Sequence, residues 1–150
     1  MGIAFSRVFE EPHVGWLGSL SINSRSQKGE TSMPLPEFKQ LVDEAKSQIS
    51  EIGPDELRRM QQSGEDFTLV DVRERDEQAR GIIPGAVSLP RGILEVNIDK
   101  ITTDKNRKLV LYCGGGSRSA LAALNLKKMG FRNVLSLAGG YRGWHDGDAH

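Results

Sequence analysis

The chain has 150 residues, enough for one domain with a real core and some chain to spare. Its 20 basic and 20 acidic side chains cancel, so the basic imbalance of a nucleic-acid surface is missing and no nucleic-acid partner is expected. One cysteine and three histidines leave no material for an intramolecular disulfide or a multi-thiolate metal site, and the expectation is no metal.

Residues 1–33 scatter Gly and Ser among isolated apolar side chains without sustained periodicity, which predicts a flexible N-terminal tail ahead of a domain at 34–150. Glu10 and Glu11 interrupt the start before a signal-type apolar core can form, and no later stretch approaches bilayer length. A cytoplasmic protein that avoids membranes is the expectation. Met33 offers a second translation start, and Trp16 with Leu17 could dock onto the domain, although Gly15, Gly18 and Ser19 around them argue for weak order.

After Pro34 and Pro36, the spacing of Phe38, Leu41, Val42, Ala45 and Ile49 predicts a leading helix over 36–49, with Pro36 in its first turn. The chain then alternates. A short strand is expected at 48–51 and a helix at 54–62, with Asp55 and Glu56 at its start and Ser63-Gly64 at its end. Phe67 to Val72 reads as a strand, 74–80 as a short polar helix, 86–89 as a brief strand and 90–96 as another helix. Leu109-Val110-Leu111-Tyr112 belongs to an apolar strand at 108–112, and a helix follows at 118–129, with Ala120, Leu121, Leu124 and Met129 able to face a sheet. Val134 to Leu137 is the last strand, before Gly139-Gly140. Strands separated by helices imply a parallel sheet covered on both faces, with ligands beyond the carboxyl ends of the strands.

Cys113 falls at such an end. It opens Cys113-Gly114-Gly115-Gly116-Ser117-Arg118-Ser119, a glycine-rich turn from strand into helix. Backbone N–H groups and a helix N-terminus there favour a thiolate, which is the nucleophilic form. The plainer alternative is a small buried hydrophobe. Three consecutive glycines suit close approach by an anion better than they suit a packed interior. Converging amides would also hold the outer sulfur of a Cys113 persulfide, by the logic of an oxyanion hole. Amides turned outward, or a thiol sealed from solvent, would remove that activity.

Three motifs resemble those of the rhodanese-type sulfurtransferases, specifically single-domain bacterial ones. Tyr112 to Ser119 is similar to the family's Tyr-Cys-x-x-Gly-x-Arg-Ser loop. Leu69-Val70-Asp71-Val72-Arg73-Glu74, followed by Gly81-Ile82-Ile83-Pro84-Gly85-Ala86, resembles its upstream signature. Leu137-Ala138-Gly139-Gly140-Tyr141-Arg142-Gly143-Trp144 resembles its closing signature. The resemblance implies a rhodanese-like α/β fold with a five-stranded parallel sheet. It also implies a cofactor-free ping-pong cycle in which Cys113 takes a sulfane sulfur from a small-molecule donor and passes it to cyanide, a thiol or a protein acceptor. Ile82 stands where the family commonly has histidine, and the loop interior lacks the Lys or Arg of efficient thiosulfate users. Weak thiosulfate turnover is therefore expected, with a persulfide as the better donor.

Gly114, Gly115, Gly116, Ser117 and Arg118 are the candidate substrate-binding residues, supported by Asp71 and Ser119. Arg118 at a helix start calls for an acidic partner. Asp71, at another strand end, is the expected one, leaving open whether Arg118 also touches substrate. Ser117 ranks above Ser119 as a sulfur contact, against the alternative that both cap the helix. Arg91 and Arg142 are read as a basic rim or as solvated charges, Trp144 as core packing, and His145 as a solvent-exposed end. Related phosphatases and arsenate reductases carry five residues between Cys and Arg; here there are four. That smaller ring suits one sulfur atom. A phosphatase or a non-enzymatic interaction module are the alternatives.

Overall fold

A computed structural model describes residues 33–148. The expected tail at 1–33, with Trp16 and Leu17, lies outside these residues except for Met33. The elements run α1 (Pro36–Gln48), β1 (Ser50–Ile52), α2 (Pro54–Ser63), β2 (Thr68–Asp71), α3 (Arg75–Gln78), β3 (Val87–Ser88), α4 (Leu94–Asn97), β4 (Leu109–Tyr112), α5 (Ser117–Lys128), β5 (Val134–Leu137) and α6 (Gly140–Asp148). Short 3-10 turns at Arg91–Ile93 and Ile98–Lys100 flank α4, where sequence spacing predicts one continuous helix.

Five strands form one parallel sheet in the order β1-β5-β4-β2-β3. The chain moves from β2 to the β3 edge, returns to the centre as β4, then proceeds to the other side. The crevice beyond the ends of β2 and β4 is thus where the winding reverses, and open sheets place their sites there. Every residue of β4 is buried, as a central strand covered on both faces requires. Its side chains alternate. Leu109, Leu111 and Cys113 join Val70, Val72, Leu94, Ala122, Ala123, Leu126 and Phe131 on one face, while Val110 and Tyr112 join Leu57, Met60, Leu69, Leu137 and Trp144 on the other. This period of two puts Cys113 on the α5 side and Tyr112 on the α2 and α6 side.

Helix α5 meets the sheet through Ser119, Ala120, Ala122, Ala123 and Leu126, all fully buried. Small side chains let the helix sit close. Leu121 and Leu124, expected against the sheet, are half-buried and line a groove with Leu41 and Glu44 of α1. Met129 lies past the helix end and is exposed. Helix α6 has no counterpart in the sequence reading, because Gly140, Gly143 and Gly147 each weaken a helix by up to about 1 kcal/mol relative to Ala. Packing forms it instead. Trp144 is buried in the second core, as expected, and the Arg58 guanidinium lies 5.1 Å from its ring centroid.

Candidate functional site

The loop between β4 and α5 is built by three constraints. Gly116 ends it at φ 107, a left-handed conformation that suits glycine, and there replaces a side-chain cap for α5. Neither Ser117 nor Ser119 caps the helix. The second constraint comes from α6: the Tyr141 amide donates to the Cys113 carbonyl (2.7 Å) and the Arg142 amide to the Gly114 carbonyl (3.1 Å). In a trans peptide, N–H and C=O point in opposite directions, so pinning these carbonyls outward aims the amides of Gly114 and Gly115 inward. Such close contact explains Gly140. Its φ is +59, and a β-carbon there would stand 2.6 Å from both the Cys113 oxygen and the Gly114 carbonyl carbon.

The third constraint is the sulfur. The amides of Gly116 (3.1 Å) and Ser119 (3.3 Å) donate to Cys113 Sγ, and the Ser119 hydroxyl lies 3.5 Å away. Ser119 Oγ is in turn 2.8 Å from Ser136 Oγ, and both serines are fully buried. Burial alone pushes the Cys113 thiol up. The Ser119 hydroxyl and the amides of Ser119, Gly116 and Gly115 outweigh it, and the thiol ends below its ordinary value. Ser119 is thus the serine that reaches sulfur, reversing the expected ranking. Ser117 opens α5 half-buried, with no side-chain hydrogen bond to the sulfur among the described residues. Ser136 is a site residue beyond those predicted, and its sequence signal is a lone hydroxyl in the apolar run Val134-Leu135-Ser136-Leu137.

Arg118 does not pair with Asp71. Its guanidinium binds Glu77, with Nη1 to Oε2 at 2.8 Å and Nη2 to Oε1 at 3.0 Å. Asp71 is already saturated. Arg73 donates to it from its backbone N (3.0 Å), Nε (3.0 Å) and Nη2 (2.8 Å), and the Tyr112 hydroxyl adds a fourth bond at 2.8 Å. Asp71 and Arg73 are both buried, and Arg73 also donates to the Gly81 carbonyl and lies 4.3 Å from the Tyr141 ring centroid. This network is structural: it ties the ends of β2 and β4 to α6, underneath the loop. The Arg118 pair holds the Glu77 carboxyl down at about 2, helped by the Glu74 amide. A sequence signal for Glu77 did exist in the spacing Glu74-x-x-Glu77 at a helix start.

Of the two arginines read as a rim, Arg91 pairs with Glu95 at 3.1 Å and lines the groove between α1 and α5. Arg142 does reach the loop, its guanidinium lying against Gly114 and Gly115. His145 is exposed on α6, stacked 5.5 Å from the Tyr141 ring. Cys113 itself is only 1% exposed, close to the sealed thiol that the sequence reading sets as the condition for losing the activity, so sulfur transfer at this residue requires the site to open to a reactant. No group of three or more His, Cys, Asp or Glu side chains suited to a metal occurs among the described residues, and none of their helices is long and apolar enough to cross a membrane.

The site is a glycine loop around a single thiol, at the switch point of a parallel α/β sheet. Residues 53–146 match the Rhodanese-like domain family, and the chain belongs to it. It is 36% identical over 96 residues to a sulfurtransferase of Allochromatium vinosum, covering 64% of this chain and 88% of that protein. A putative sulfur carrier protein, YrkF of Bacillus subtilis, is 34% identical over 98 residues, spanning 65% of this chain and 52% of its own length. Among solved structures, the Rhodopseudomonas palustris protein RPA3614, of unknown function and described as a possible tyrosine phosphatase, is 35% identical. It superimposes with a TM-score of 0.69 over 80% of this chain and 97% of that one. The human single-domain sulfurtransferase TSTD1 is 30% identical with a TM-score of 0.58, covering 64% of this chain and 95% of its own.

Proposed function

We propose that the protein is a sulfurtransferase that carries a sulfane sulfur on Cys113. Membership of the rhodanese-like family and relatives named sulfurtransferase support sulfur transfer in general. The observation that carries the finer reading is the pair of amides, from Gly116 and Ser119, directed at one sulfur atom. Such donors stabilise the thiolate that attacks, and need no reorganisation during reaction.

With thiosulfate as donor, a lone pair of the Cys113 thiolate attacks the outer sulfur, and the donor's S–S bond breaks with its electron pair leaving on sulfite. The products are Cys113–S–S⁻ and sulfite, so the total charge of −3 is unchanged. An acceptor thiolate or cyanide then attacks the outer persulfide sulfur and regenerates the Cys113 thiolate. A low-molecular-weight persulfide as donor leaves as its own thiolate instead. No redox change at the protein and no cofactor is required. Cytoplasmic thiols and protein acceptors fit this cycle as partners.

The phosphatase alternative is less well supported. Four residues separate Cys113 from Arg118, and Arg118 is engaged by both oxygens of Glu77 rather than free to hold a tetrahedral oxyanion. The test is intact mass after incubation with thiosulfate or glutathione persulfide. One added sulfur is expected, lost on treatment with cyanide or a thiol and never gained by Cys113→Ser. An unchanged mass with every donor, together with hydrolysis of an aryl phosphate, would replace this reading with the phosphatase one.

A further inference from the structure

The loop contains no cation of its own that is free to meet an anion. Arg118 is committed to Glu77, and Arg73 is committed to Asp71 beneath the sheet end. Arg142 differs. It is exposed, and among the described residues no carboxylate comes within ion-pairing distance of it. Its backbone is fixed by the bond from its amide to the Gly114 carbonyl, and its guanidinium lies over the loop. A β-carbon at Gly115 would collide with that guanidinium, and one at Gly114 would stand 3.2 Å from Arg142 Nη1. Side chains at 114 and 115 would occupy the space that this guanidinium takes.

We infer that Arg142 is the specificity-determining residue for the anionic end of the sulfur donor, supplying from α6 the positive charge that the loop lacks. The inference rests on the sulfurtransferase reading for the identity of the donor, though not for the recognition of an anion. A planar guanidinium offers paired N–H donors that match a sulfonate or carboxylate edge. The donor class that fits carries negative charge one bond from its sulfane sulfur, as thiosulfate and thiosulfonates do. On this account a neutral persulfide gains little from Arg142.

The test compares Arg142→Gln and Arg142→Lys with Arg132→Gln, which removes the same charge from the opposite end of the sheet. Alkylation of Cys113 by anionic iodoacetate is measured against alkylation by neutral iodoacetamide. The iodoacetate-to-iodoacetamide rate ratio is expected to fall about tenfold in Arg142→Gln, to fall less in Arg142→Lys, and to hold in Arg132→Gln. In thiosulfate turnover, KM of Arg142→Gln is expected to rise about tenfold, with a much smaller change in kcat. A ratio and a KM matching the unsubstituted protein would overturn the assignment. If the protein accepts sulfur from no donor while the ratio still falls, anion recognition by Arg142 stands and the sulfurtransferase reading is what fails.

Discussion

Glu77 grips Arg118 through both carboxylate oxygens, at 2.8 and 3.0 Å, across 41 residues of sequence. The pair joins α3, after β2, to the first turn of α5, so it fastens one wall of the cysteine loop to its neighbour. It also offsets the cost of an arginine at a helix N-terminus and cancels a positive charge near Cys113.

Acid should loosen this clamp in a defined window. The Glu77 carboxyl lies at about 2 in the folded chain, below its ordinary range, so its stabilising contribution is complete above about pH 4.5 and fades as pH falls towards 2. Glu77→Gln should cost about 1–2 kcal/mol at neutral pH in urea denaturation, a modest figure because Arg118 is partly solvated. The difference between variant and parent should shrink below about pH 4. A constant difference from pH 7 to 2.5 would contradict the pairing.

The same substitution leaves the Arg118 charge uncancelled beside the sulfur. Cys113 should then ionise at lower pH, seen as a downward shift in the midpoint of its alkylation rate against pH. Ser119→Ala should move the midpoint the other way, because the hydroxyl is the largest of the contacts that lower the thiol. In the unsubstituted protein the midpoint should fall below the ordinary thiol value of about 8.5. Equal midpoints for all three proteins would remove the electrostatic account of the loop.

Gly140→Ala tests the close approach of α6 to the loop. Its β-carbon has to displace main-chain atoms at 2.6 Å, and its φ of +59 adds strain. A stability loss of about 2–4 kcal/mol is expected. The thiol midpoint should also rise, since the outward hold on the Cys113 and Gly114 carbonyls is lost. Gly53→Ala, where a β-carbon meets nothing within 4 Å, is the comparison. Equal stability of the two variants would refute the packing argument.

Asp71→Asn should be among the most damaging polar changes. It leaves Arg73, only 4% exposed, without its counter-charge, at an expected cost of about 3–5 kcal/mol. Tyr112, held well above its ordinary value first by burial, loses an acceptor as well. A loss below about 1 kcal/mol in chemical denaturation would mean the network is not a structural tie.

Order and kind of element were legible along the chain because they depend on neighbours. Short apolar runs marked β2, β4 and β5; proline, acidic residues and glycine marked the ends of α2; and the cysteine on its glycine turn could be located without a fold. Side-chain partners were not legible in the same way. Asp71 and Glu77 were both available to Arg118, and only the parallel sheet, by gathering loops from distant segments at one end, decided which was free. Asp71 was consumed locally by Arg73 and across the sheet by Tyr112, so Arg118 took Glu77. The inward turn of the loop amides likewise required α6, a glycine-laden helix stabilised by tertiary contacts such as the burial of Trp144 and the bonds to the loop carbonyls.

What this sequence settled unaided is that a lone thiol would follow the end of an apolar strand in a parallel α/β sheet, since periodicity and glycine chemistry act over a few residues. Tertiary structure alone decided how that thiol is charged and covered. Electrostatic contacts depend on distances in space, and the groups that set them here come from four separate segments.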